Sequence, residues 1–228
     1  MKIALFGNGK TGSKVRECAG KNFVQGPYTR STLPSVAELR QCDVAVVFVP
    51  GQSLKSLLPL LFEAGVPVVS GSTGYKFSDD EKKLILDRGI TWVQASNFSL
   101  GMNLAFELAR RIGAFRPAKE AAESLSISEV HHTKKLDSPS GTALSLKAAL
   151  GIEVPVHAFR EGDVIGEHSL ELRLPGEILS LAHEVSDRRV FAEGAIWAAN
   201  LVREKKLPPG FYLFENLVRT YCFEGAIP

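Results

Sequence analysis

The 228-residue chain carries 27 Lys and Arg against 25 Asp and Glu, a net charge of +2, and is 45% hydrophobic and 23% charged. That balance is ordinary for a globular chain and argues against disorder, and so small a charge excludes an extended nucleic-acid surface. Cys18, Cys42 and Cys222 form neither a disulfide framework nor a zinc spacing, and the apolar stretch 54–69 is broken by Lys55, Pro59, Glu63 and Pro67, which argues against a membrane span.

The length allows one large or two modest domains. Met1-Lys2 runs straight into a strand-like segment without the organisation of a signal peptide, so a reducing cytoplasmic setting is expected. In chain order, Lys2–Phe6 predicts a strand, Ser13–Ala19 a helix, and Phe23 to Tyr28 a second strand. Asp43–Val49 is a continuous β-branched run, as a strand covered on both faces requires. Ser53–Ala64 predicts a helix containing Pro59, and Val66–Ser70 another buried strand. Ser78 and Glu81 form a capping box for a helix ending at Gly89, and Ile90–Gln94 is the next strand. This alternation predicts an α/β fold, a Rossmann-type doubly wound parallel sheet over residues 1–98.

After residue 98 the rhythm changes. A helix from Leu100 to Ile112 and the Arg116-Pro117 break lead to a strand around Leu125. Strands follow over Val154–Phe159, His168–Leu174 and Glu177–His183, the last two joined at Pro175-Gly176. Strands in succession predict a second α+β domain with an open mixed sheet over residues 99–204. A long helix, Arg188–Arg203, closes it, and the segment 205–228 returns to complete the first domain.

Two stretches carry chemistry. Gly7, Asn8, Gly9, Lys10, Thr11 and Gly12 form a GxGxxG loop between a strand and a helix, as a dinucleotide pyrophosphate requires. Gly9-Lys10-Thr11 also resembles the end of an ATP or GTP phosphate loop, but the glycine that loop needs falls at Ala4 within the strand. No acidic residue follows the second strand. Arg30 stands there among hydroxyls, either for the 2′-phosphate of NADPH or as a solvated surface residue. Gly71, Ser72 and Thr73, and Ala95, Ser96, Asn97 and Phe98, follow later strands of the same sheet, where a nicotinamide ring would lie.

The second stretch runs from Glu129 to Ala143. Leu125, Ile127, Glu129 and His131 alternate with Ser126, Ser128, Val130 and His132, the period of a strand. A helix follows, with Ser138 read as its cap and Pro139 as its first residue, so that Ser140, Gly141 and Thr142 fall in the first turn. A helix N-terminus offers N–H groups and partial positive charge to an anion. His131, His132, Lys134 and Lys135 lie just upstream. Glu129 shares a face with His131 and either orients the imidazole or closes an ion pair. His168 and His183 read as core or interface residues, and Arg188 as a partner for an acidic residue of the second domain. No spacing suggests a metal site.

With these motifs, together with Gly166-Glu-His168, His183, Arg188, Phe191-Ala-Glu-Gly-Ala195 and Gly210-Phe-Tyr-Leu-Phe214, the chain resembles the 4-hydroxy-tetrahydrodipicolinate (dihydrodipicolinate) reductases along nearly its whole length. The resemblance implies reduction, with NADPH or NADH, of a small cyclic dicarboxylate in diaminopimelate and lysine biosynthesis. It assigns acid–base work to His131, proton donation to Lys135, and substrate carboxylates to His132, Gly141 and Thr142. It also implies a homotetramer joined through the second-domain sheets, with neither nucleic acid nor membrane as partner. Another two-domain NAD(P)-dependent dehydrogenase, or an inactive nucleotide-sensing protein on the same fold, is the alternative.

Overall fold

Ile3 and Leu5 point to one side of their strand and Ala4 and Phe6 to the other, and all four are at most 1% exposed. A strand so buried must lie inside a sheet covered on both faces. The computed structural model, which describes residues 1–19, 24–204 and 207–223, has that arrangement. Phe23, and residues 205–206 and 224–228 of the expected C-terminal return, lie outside the described residues. The chain divides into one unit formed by 1–98 and 188–228 and another formed by 99–187.

In the first unit, strands β1 (Ile3–Phe6), β2 (Val24–Tyr28), β3 (Val44–Val47), β4 (Val68–Ser70) and β5 (Thr91–Gln94) are joined by β10 (Gly210–Leu213). They make a six-stranded sheet in the order β10-β5-β4-β3-β1-β2, parallel throughout. The chain runs outward from β1 to β2 and then crosses back to β3. That reversal opens the crevice beyond the strand ends where ligands of such sheets bind.

One face packs Ala4, Phe6, Ala45, Val47 and Trp92 against Leu54, Leu58 and Leu61 of helix α3 (Gly51–Ala64) and Ile85 of α4 (Asp79–Asp87). The other packs Ile3, Leu5, Val44 and Val46 against Val15 of α1 (Lys10–Ala19) and Ala192, Ala195, Ala198 and Ala199 of α8 (Arg189–Arg203). A short helix, α2 (Val36–Leu39), carries a Ser35–Glu38 capping box that the sequence reading passed over. The expected return to this unit was residue 205, whereas the chain returns at Arg188. The reason is α8, whose alanines lie flat on the sheet and whose Gly194 sits so close that a Cβ would come within 1.9 Å of the Phe98 carbonyl oxygen.

The second unit is a four-stranded sheet, β7-β6-β8-β9, formed by β6 (Ser124–His131), β7 (Val156–Arg160), β8 (Glu167–Leu174) and β9 (Glu177–Glu184). β6 and β7 are parallel and the other pairs antiparallel, so the sheet is mixed. Helices α5 (Leu100–Ala114) and α7 (Gly141–Leu150) cover one face, with Met102, Phe106, Leu146 and Leu150 on Ile127 and Leu170. Their approach is close enough that a Cβ on Gly113 would fall 1.7 Å from the Leu150 carbonyl oxygen. The break falls at Phe115, and Arg116-Pro117 opens a further short helix, α6 (Arg116–Glu120).

Candidate active site

The glycine loop owes two of its glycines to the protein itself. Gly7 has φ +102°, and a Cβ there would lie 2.1 Å from the Phe48 carbonyl oxygen, while one on Gly12 would lie 2.3 Å from that of Gly7. Gly9 differs, since nothing lies within 4 Å of its notional Cβ. The middle glycine is therefore not demanded by packing, and the space beside it suits the close approach of a pyrophosphate to the start of α1. Asn8 crosses from β1 to that helix, and Lys10 and Thr11 open it.

At the end of β2, Thr29, Ser31 and Thr32 bond among themselves, and the Arg30 guanidinium donates to Ser53 Oγ at 2.8 Å. The loop 71–74 lies over the start of α3, where a Cβ on Gly51 would meet the Gly74 and Thr73 backbones at 2.6–2.8 Å. Buried Ser72 is tied to both neighbouring strands, receiving the Val49 N–H on its hydroxyl (3.3 Å) and the Gln94 amide on its carbonyl (2.8 Å). In the following loop, Ala95 and Phe98 are core side chains, 6% and 1% exposed, so a ligand can reach only their backbone. Ser96 and Asn97 stand between them.

The second unit holds a polar cluster at one end of its sheet. Odd residues of β6 and even residues of β8 face inward, so Ile127 and Leu170 feed the core while Glu129, His131 and His168 share the same buried face. Glu129, 1% exposed, accepts the Ser140 N–H at 3.0 Å and also bonds the Ser140 hydroxyl. The Arg160 guanidinium reaches the same Oε1 at 3.4 Å. His131 Nδ1 lies 3.5 Å and His168 Nε2 3.6 Å from Glu129 Oε2, and the two rings stand 5.1 Å apart nearly edge to face.

Burial drives the His131 pKa down to about 4, against the pull of Glu129 and with help from Lys135 and Arg160. Burial also takes His168 down to about 3, assisted by repulsion from His131, His183 and Lys135. Both imidazoles are therefore neutral at pH 7 in the free protein. Lys135, in the loop after β6, donates to both Asp137 oxygens at 2.7 and 2.9 Å. Burial alone would raise the Asp137 pKa, but this lysine pulls it below the usual carboxylate value. His132 is half-buried beside this loop, and its carbonyl accepts the Lys135 N–H at 3.1 Å.

The helix cap differs from expectation. α7 begins at Gly141, and Ser140, not Ser138, is the cap, its hydroxyl accepting the Ala143 N–H at 3.1 Å. Two serines compete locally for the role, and Ser140 takes it because Glu129 grips it from the neighbouring strand. Gly141 and Thr142 thus occupy the first two helical positions.

Arg160 carries no signal in the sequence, and His168, expected as a core or interface residue, is buried within this cluster. Arg160 is beside His131 only through the parallel β6–β7 register, and His168 beside Glu129 only through the β6–β8 register. The donor atoms of Glu129, His131 and His168 lie within 4.8 Å of one another, a grouping that no sequence spacing announced. Both Glu129 oxygens are already engaged by Ser140 and Arg160, so the cluster is organised as a hydrogen-bonded network. His183, on β9, faces Ser99 Oγ at 3.2 Å. Arg188 stands at the start of α8 in the first unit, where burial lowers its pKa.

The profile of the dihydrodipicolinate reductase N-terminus matches residues 3–98, and that of the C-terminus matches residues 101–218. A 4-hydroxy-tetrahydrodipicolinate reductase of Xanthomonas campestris pv. campestris is 38% identical over 179 residues, covering 77% of this chain and 73% of that protein. One from Christiangramia forsetii is 32% identical over 227 residues, covering 90% and 93%. A dipicolinate-bound dihydrodipicolinate reductase from Paenisporosarcina sp. TG-14 superposes with a TM-score of 0.73 at 20% identity, covering 95% of this chain and 99% of that one.

Proposed function

The chain belongs to the dihydrodipicolinate reductase family, and from that premise we propose how its residues divide the work. The reaction is the NAD(P)H-dependent reduction of 4-hydroxy-tetrahydrodipicolinate to tetrahydrodipicolinate in diaminopimelate and lysine biosynthesis. In the net change the substrate gains a hydride and a proton and loses water.

The carrying observation is the convergence, within one strand–loop–helix, of His131, Lys135 and the first turn of α7. A dianionic substrate needs charge and backbone donors, and this element holds both. Gly141 and Thr142 receive one carboxylate on their N–H groups, and His132 assists. Lys135 exchanges Asp137 for the substrate and delivers the proton to the ring nitrogen. His131, neutral when the site is empty, takes up acid–base work once the anion favours its charged form.

The first unit carries the pyridine nucleotide, which supplies the hydride when bound. The open space beside Gly9 fits its pyrophosphate, and Asn8, Lys10, Thr11 and the loops 71–73 and 95–98 line its path. Arg30, held by Ser53 among three hydroxyl residues and with no acid to contact ribose hydroxyls, favours NADPH over NADH. Oxidation of each cofactor with freshly generated hydroxytetrahydrodipicolinate tests the assignment. Turnover with neither would overturn it.

A further inference from the structure

We propose that Glu129 is the positioning residue of this site: its buried carboxylate holds the first turn of α7, through Ser140, and the Nδ1 side of His131 in one register. The proposal rests on the reductase reading above and assigns a role that the reaction alone does not require.

A carboxylate 1% exposed must be satisfied by its neighbours. Were Glu129 only half of a structural ion pair, Arg160 would suffice. Instead Oε1 takes the Ser140 N–H as well as Arg160, and Oε2 faces the Ser140 hydroxyl, His131 Nδ1 and His168 Nε2. Ser140 in turn caps α7 through the Ala143 N–H, so the direction of that first turn is set from β6 by one side chain. Arg160 extends the clamp to the loop between, bonding the Lys135 carbonyl at 3.4 Å and that of Asp137. The acid–base imidazole, the ammonium and the anion-binding N–H groups thus all trace to one buried charge.

The same placement selects the imidazole tautomer. With a carboxylate facing Nδ1, the neutral ring keeps its proton there and presents Nε2 for exchange. His131 Nδ1 makes no hydrogen bond at 3.5 Å, and catalytic contacts of this kind often tighten only when substrate arrives. The Nε2 side is kept clear by Gly166, where a Cβ would come within 3.1 Å of that nitrogen. As Nε2 gains a proton, the positive charge develops opposite Glu129.

The test uses Glu129→Gln, Glu129→Asp and Ser140→Ala on the full chain. Turnover, NADPH affinity and inhibition by dipicolinate are measured, and the imidazole nitrogens are followed by NMR at pH 7. Glu129→Gln should reduce kcat by roughly a hundredfold, the usual worth of a positioned acid–base group. It should leave NADPH affinity within about twofold, since its readout is tied to the imidazole. The His131 ring nitrogens should leave the Nδ1–H pattern. Ser140→Ala should weaken dipicolinate inhibition by about tenfold, the worth of a lost charge-assisted contact, with the His131 pattern kept. Wild-type kcat or unchanged His131 nitrogens in Glu129→Gln would overturn the proposal. If that variant fails to fold, unchanged His131 nitrogens in Glu129→Asp, or unchanged inhibition in Ser140→Ala, overturns it instead. Absence of turnover in the wild-type protein would count against the reductase reading, whereas the ring nitrogens judge Glu129 either way.

Discussion

His131 is the residue on which most depends. It is 7% exposed, with its pKa held near 4 by burial, so in the proposed role it meets the substrate neutral. Replacing it by Gln preserves size and polarity but removes proton exchange. His131→Gln should lower kcat by about a hundredfold or more while nucleotide binding, measured by fluorescence titration, stays as in the wild type. Near wild-type turnover would make the residue structural. Arg30 makes a separate claim. Its guanidinium bonds Ser53 at the start of α3, and a charged contact to a 2′-phosphate is worth about 1.5–3 kcal/mol. Arg30→Ala should therefore weaken NADPH binding by roughly ten- to hundredfold and leave NADH nearly unchanged. Equal loss for both cofactors removes Arg30 from the site.

At the level of elements, β6 and α7 act as a unit. The strand ends at His131, the helix begins at Gly141, and Glu129 ties end to beginning. Side-chain substitutions other than proline leave backbone donors in place, but access to them can be blocked. Gly141→Val places a branched side chain at the first helical position, with helix propensity no worse than glycine's. Dipicolinate inhibition should fall at least tenfold, while NADPH affinity, which belongs to the other unit, should not move. Inhibition constants measured beside a nucleotide titration decide this, after circular dichroism has confirmed folding. Unchanged inhibition would leave the first turn of α7 with a capping role alone.

Across the whole molecule, the buried histidines make stability depend on acidity. His131 and His168 have folded pKa values of about 4 and about 3, below the value of about 6.5 expected when unfolded. As pH falls below about 6.5, the unfolded chain binds protons that the folded chain refuses. Stability is therefore fully present above that point and is lost progressively down to about pH 3, by at most about 1.4 kcal/mol per pH unit for each histidine. Urea melts at pH 7 and pH 5 should show this decline, and His168→Gln should flatten it. An equal slope in the variant would place the effect elsewhere. Among the described residues, one face of the second unit's sheet carries no covering helix of that unit. Phe159 and Ile178, 54% and 53% exposed, lie on it beside Ser128, Ser169 and Ala182. We propose that this face joins copies of the chain into a homotetramer. Light scattering should give four chains for the wild type and fewer for Ile178→Asp, and a monomeric wild type would dismiss the idea.

Local order was legible in the sequence because its causes are local. The glycine loop announced itself by placement between strand and helix, the buried strands by their β-branched runs, and α4 by its capping box. Glu129 and His131 were placed on one face by a period of two, which only a strand imposes. What the sequence left open was whatever a distant partner decides. Ser138 and Ser140 are equivalent caps until Glu129 reaches across from β6 and selects one. The alanine face of α8 could cover either unit until its fit on the parallel sheet, with Gly194 against Phe98, assigned it to the first. Arg160 and His168 joined the site through strand register alone, which no spacing along the chain encodes. The sequence by itself thus determined most of the elements and the order of residues along them. Tertiary structure decided how their chemistry is tuned, because pKa, tautomer and cap depend on which charges are buried together.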